Sequence, residues 1–82
     1  MLDEIRSILT EVLRLGERGR SLEADSALLG SIPELDSMAV VSVVTVIEEH
    51  YGIEFDDDDF TADSFATLGS LCSVVEGKFR SQ

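Results

Sequence analysis

Leu35-Asp36-Ser37-Met38-Ala39-Val40-Val41-Ser42-Val43-Val44-Thr45-Val46-Ile47-Glu48-Glu49-His50-Tyr51 is the decisive stretch, because its composition and its periodicity disagree. Seven of the eight residues from Val40 to Ile47 are β-branched, which by propensity alone favours a strand. The polar positions argue otherwise. Ser42, Thr45, Glu48 and Glu49 are separated by steps of three, three and one, whereas a half-buried strand needs steps of two. At about 100° per residue, Val40, Val43, Val44, Val46, Ile47 and Tyr51 share one broad arc, and Met38, Ser42, Thr45 and Glu49 share the opposite one. The spacing therefore predicts a helix from Met38 to Tyr51. Asp36 is placed as its N-cap, and Ser37 falls in the first turn, near unpaired backbone N–H groups and the positive end of the helix dipole. Such a position favours a phosphate.

Working outward, Leu2, Ile5, Ile8, Leu9, Val12 and Leu13 recur at three- and four-residue spacing and predict a first helix over about Asp3–Leu15. Asp3 and Glu4 in its first turn and Arg14 in its last suit the dipole, and Gly16 and Gly19 are expected to stop it. Residues 17–35 then make a long connection. Asp25-Ser26 is expected to start a short turn within it, and Leu28, Leu29 and Ile32 to anchor it on the core, with Pro33 between Ile32 and Leu35. On the other side, Gly52 ends the decisive helix, and Ile53 and Phe55 are apolar points in a short crossing segment. Aspartate suits caps and first turns better than helix interiors, so one short helix is expected to begin within Asp56-Asp57-Asp58-Asp59, with Phe65 buried beyond it. Thr67 is the expected N-cap of a last helix, Leu68 to Phe79, with Leu68, Leu71, Cys72, Val75 and Phe79 on its inner face. The expected fold is all-α: a bundle of three longer helices and one short one, with a long loop between the first and second. With 82 residues and no repeats, one domain spanning 1–82 is expected, burying roughly 60–65% of the unfolded chain's surface.

The net charge of −11 is unevenly spread. Residues 1–20 balance Asp3, Glu4, Glu11 and Glu17 against Arg6, Arg14, Arg18 and Arg20. Residues 21–77 hold thirteen acids and no Lys or Arg, and Lys78 and Arg80 restore two positive charges. A continuous field of one sign favours basic protein partners and disfavours nucleic acid or an anionic membrane. Cys72 is the only cysteine, so no intrachain disulfide can form, and a reducing compartment fits. The N-terminal segment carries charges throughout and no apolar run approaches membrane length. A cytoplasmic monomer without membrane insertion is the expectation.

The order of elements resembles the acyl carrier proteins over essentially the whole chain. The residues that carry the resemblance are Leu35-Asp36-Ser37-Met38, Ile47-Glu48-Glu49, Tyr51-Gly52-Ile53, the acids at 56–59 and Phe65-Ala66-Thr67-Leu68. Pro33-Glu34-Leu35-Asp36-Ser37-Met38-Ala39-Val40-Val41 and Phe65-Ala66-Thr67-Leu68-Gly69-Ser70-Leu71 resemble, more narrowly, carrier proteins encoded with bacterial exosortase systems. The resemblance implies that Ser37 is esterified by the 4′-phosphopantetheine of coenzyme A, with Asp36 completing the attachment motif. A thiol on that arm would carry acyl groups as thioesters for fatty acid or lipid biosynthesis. Two alternatives stand beside this: a carrier of aminoacyl or peptidyl groups, and an acidic helical interaction module that is never modified.

The residues' own chemistry agrees with a carrier that is not an enzyme. An unassisted serine hydroxyl is a weak nucleophile, and the sole histidine, His50, lies more than three helical turns from Ser37. A phosphopantetheinyl transferase is therefore expected to supply the base and the metal. Acyl-activating or acyl-transferring enzymes with basic docking surfaces are the other implied partners, and Met38, Glu48 and Glu49 are the candidate contacts. Where related carriers often have acids in the first turns of this helix, Ala39, Val40 and Ser42 stand here, which favours a dedicated partner. Leu28, Ile47, Phe55 and Phe65 are the candidates to shelter an acyl chain. His50 reads as a surface residue stabilised by the helix end, Cys72 as a small buried hydrophobe, and the four aspartates as a solvated helix start, with no metal site.

Overall fold

Residues 1–81 are described by the computed structural model. Four α-helices follow one another: α1 Leu2–Val12, α2 Glu17–Arg20, α3 Ser37–Tyr51 and α4 Leu68–Ser81. Two 3₁₀ turns, Asp57–Asp59 and Ala62–Phe65, lie between α3 and α4. The decisive stretch is a helix despite its β-branched run. The cost of the valines is a few tenths of a kcal/mol each. It is outweighed by burying Val43 and Ile47 completely, worth about 1.5–3 kcal/mol apiece. Asp36 caps this helix, its Oδ1 accepting the Ala39 N–H at 2.8 Å. At the other end Gly52 takes a left-handed conformation (φ 67°), and its N–H and that of Ile53 both donate to the Glu48 carbonyl.

The core is built from the inner faces of α1 (Ile5, Ile8, Leu9), α3 (Val43, Ile47) and α4 (Leu68, Leu71, Val75). The connections add Leu13, Leu15, Leu28, Ile32, Leu35, Ile53 and Phe65. Thr67 caps α4 as expected, its hydroxyl accepting the Ser70 N–H. Phe79, expected on the inner face, is instead 46% exposed and meets Tyr51 edge-on at 5.6 Å.

Three departures from the expected pattern have clear causes. First, α1 ends at Val12, because Arg14 turns left-handed (φ 54°). In a continued helix Leu13 and Leu15 would point about 200° apart. The turn brings both into the core. Second, Gly19 does not stop a helix but lies buried within α2 against α1, where a Cβ would fall 2.0 Å from the Thr10 hydroxyl. Third, the long connection is anchored by its backbone as much as by its side chains. The N–H groups of Leu28 and Leu29 donate to the carbonyls of Ala66 and Phe65, and those of Leu68 and Gly69 donate back to Ser26 and Ala24. Leu29, expected in the core, is 51% exposed. The acidic run forms a 3₁₀ turn instead of a short helix, and a second 3₁₀ turn follows it. In each, the N–H of the residue before the turn donates to a side chain three residues on, Asp56 to Asp59 and Thr61 to Ser64.

Candidate functional site

Ser37 is the first residue of α3 and is exposed. Asp36 takes up two of the first N–H groups of the helix, Ala39 through its side chain and Val40 through its carbonyl. The amides of Ser37 and Met38 remain at the helix end, where they and the dipole can face an anion joined to the Ser37 hydroxyl. The local donor set thus fits a phosphodiester at Ser37. Among the described residues no histidine stands near Ser37. His50 lies about 20 Å further along α3, with its Nε2 3.4 Å from Glu4. The N-terminal amino group, and then His50, hold the Glu4 carboxyl below its ordinary value.

One turn along α3 from Ser37, a groove of about 380 Å³ opens between the helix and the segment that follows it. Val40, Val41, Val44 and Thr45 line it from α3, with Phe55, Asp56 and Phe60 opposite and Glu48 at the far end. Its floor is aromatic. The Phe55 and Phe60 rings are 4.7 Å apart, and Phe60 stacks on Phe65 at 5.6 Å. Of the four acyl-pocket candidates from the sequence, only Phe55 lines this groove. Leu28 and Ile47 are wholly buried and Phe65 nearly so, all three as core side chains. Sequence reasoning missed Val40, Val41, Val44 and Phe60. The signal for Phe60 was present in the five-residue spacing of Phe55, Phe60 and Phe65.

The candidate partner-binding residues fall in different environments. Met38 is 80% exposed and Val41 64%, an apolar pair one turn apart beside Ser37. Glu49 is exposed. Glu48 is half-buried, and its Oε2 accepts the Phe55 N–H at 2.7 Å, so this acid also builds the groove. Cys72 is partly buried, and burial pushes its thiol pKa up. No helix among the described residues is long and apolar enough to cross a membrane.

Comparison with known proteins adds two findings. The family model described as "Phosphopantetheine attachment site" matches residues 3–75. The solution structure of a holo acyl carrier protein from Nitrosomonas europaea superposes with a TM-score of 0.90 at 54% identity, covering 96% of this chain and 95% of that one. No curated protein sequence matches.

Proposed function

The chain belongs to the phosphopantetheine-binding acyl carrier proteins, and from that premise we propose that Ser37 is its single attachment residue. The protein holds acyl groups as thioesters on a covalent 4′-phosphopantetheine arm and is a carrier, not an enzyme. The observation that supports Ser37 is its place: an exposed residue at the first position of α3, next to a capping Asp36 and the first amides of the helix. When attached, the arm supplies a terminal thiol that forms thioesters. Ser37 would anchor it, the helix end would offset part of its phosphate charge, and Asp36 would keep that end ordered. Incubation with coenzyme A, Mg²⁺ and a broad-specificity phosphopantetheinyl transferase adds one phosphopantetheine mass to the wild type and none to Ser37→Ala. A labelled Ser37→Ala, or an unlabelled wild type, overturns the assignment.

The groove beside Ser37 receives the acyl group, with Val40, Val44, Phe55 and Phe60 as its apolar walls. The packed rings of Phe60 and Phe65 limit its depth, so short and medium chains are protected better than long ones. Thioester hydrolysis rates across chain lengths, on wild type and on Phe55→Ala, test this; rates independent of length in both proteins mean that no chain is sheltered. Partners comprise the transferase and acyl-processing enzymes. The surface they meet is apolar at Met38 and Val41 and acidic at Glu49, which suits an enzyme with an apolar contact flanked by Lys or Arg. The chain acts as one carrier domain, and a reducing compartment such as the cytoplasm suits its lone free Cys72.

A further inference from the structure

We propose that Lys78 positions the groove wall: from the last turns of α4 it holds the Asp56–Asp59 turn, and with it Phe55 and Phe60, against α3. Residues 21–77 contain no Lys or Arg, so Lys78 is the first such residue after Arg20. Its Nζ lies 3.0 Å from Asp59 Oδ2 and 3.7 Å from Asp56 Oδ2, and its side chain is only 18% exposed. The other base of α4, Arg80, pairs with Glu76 on its own helix. Lys78 therefore makes the charged link from α4 to the acidic turn.

That turn is tied across its ends by two hydrogen bonds. Asp59 Oδ2 accepts the Asp56 N–H at 2.6 Å, and the Asp59 N–H donates to the Asp56 carbonyl at 3.0 Å. A pull on Asp59 is thus passed to Asp56, which itself lines the groove, and to the phenylalanines flanking the turn. Two charges now fix the wall, Glu48 from α3 at the Phe55 N–H and Lys78 from α4 at the aspartates. Without the Lys78 ammonium, successive aspartates repel one another and the field of the rest of the chain. Salt then acts with opposite sign on two scales. It screens repulsion among thirteen acids and stabilises the whole fold, but it weakens the Lys78 pairs and loosens the wall.

The consequence for a bound acyl chain rests on the groove reading above, and the test separates the two. Amide hydrogen exchange is followed by NMR on the holo protein as wild type, Lys78→Met and Lys78→Arg. Lys78→Met is expected to speed exchange at Phe55 and Asp59 about threefold, the size of partly exposed ion pairs, leaving Val43 and Ile47 unchanged. Lys78→Arg restores the wild-type rates. Added NaCl speeds exchange at Phe55 and Asp59 in the wild type and not in Lys78→Met. Wild-type rates at Phe55 and Asp59 in Lys78→Met, or an equal increase at every amide, overturn the proposal. On octanoyl-loaded protein, thioester hydrolysis rises in Lys78→Met by the same factor. Faster exchange with unchanged hydrolysis upholds Lys78 as a positioning residue and sinks the groove reading instead.

Discussion

The Glu48 carboxylate accepts the backbone N–H of Phe55 at 2.7 Å, so an acid of the last turn of α3 holds the opposite wall of the groove. Glu49, the next residue, is exposed. Adjacent acids thus stand in different environments: one builds the groove and the other lies in solvent.

Glu48→Ala is expected to lower stability by about 1 kcal/mol, since it strips a half-buried N–H of a charged acceptor. For a chain of this size that is about 4–8 °C in melting temperature. Glu48→Gln loses less, because an amide oxygen still accepts. Thermal melts of the three proteins check this; a melting point unmoved by Glu48→Ala would show that water replaces the carboxylate at no cost.

Recognition by the transferase is expected to divide by mechanism. Glu49→Lys slows modification of Ser37 through association rate, and the loss shrinks as salt rises. Met38→Ala removes apolar contact from a residue 80% exposed on the carrier. It costs about 1 kcal/mol of recognition, roughly fivefold in rate, and is indifferent to salt. Initial rates at low and high ionic strength separate the two. Identical salt dependence for both variants would show that Met38 and Glu49 do not act through these different forces.

Much of this was legible from residues alone, for reasons that differ by element. The 3.6-residue period of Val40, Val43, Val44 and Ile47 overrode β-propensity because packing, not propensity, settles a buried face. Asp36, Gly52 and Thr67 announced their helix ends through local chemistry, and all three cap as expected. The left-handed turn at Arg14 was hidden, since nothing local demands it; it follows from burying Leu13 and Leu15 together. The groove was legible only in Phe55. Separating Ile47, which is core, from Val44, which lines the groove, needs the position of the acidic turn. That position depends on Lys78, nearly twenty residues further along the chain.

Acid should weaken the fold through specific carboxylates. The Asp56 backbone N–H, and then Lys78, hold Asp59 below its ordinary value of 3.8; Arg18 does the same first for Glu34, whose ordinary value is 4.5. A carboxyl depressed by folding contributes stability that is fully present above its ordinary value and lost as pH falls through the folded one. Asp59→Asn is therefore expected to be less stable than wild type at neutral pH. The gap narrows as pH drops below 3.8 and closes once Asp59 is protonated. Chemical denaturation from about pH 7 to 2.5 follows it. A gap of constant size across that range would show that charge on Asp59 adds nothing.

Among the described residues the buried Tyr51 hydroxyl meets no hydrogen-bond partner, while its ring packs edge-on against Phe79. Removing only the hydroxyl keeps the packing and relieves a desolvated polar group. Tyr51→Phe is accordingly expected to match or exceed wild-type stability at neutral pH, by up to about 1 kcal/mol. Burial, and after it the Glu4 charge, pushes the phenol up to about 12 from its ordinary 10.0. Between those values the unfolded chain releases the phenolic proton and the folded chain keeps it. Wild type therefore loses stability as pH rises through that window. Tyr51→Phe lacks this loss, so its advantage grows in alkali. Urea melts at neutral pH and near pH 11 measure both effects. A Tyr51→Phe protein clearly weaker than wild type at neutral pH would mean that the hydroxyl bonds to Glu4 in solution; the gap would still narrow in alkali, because a carboxylate acceptor also keeps the phenol protonated.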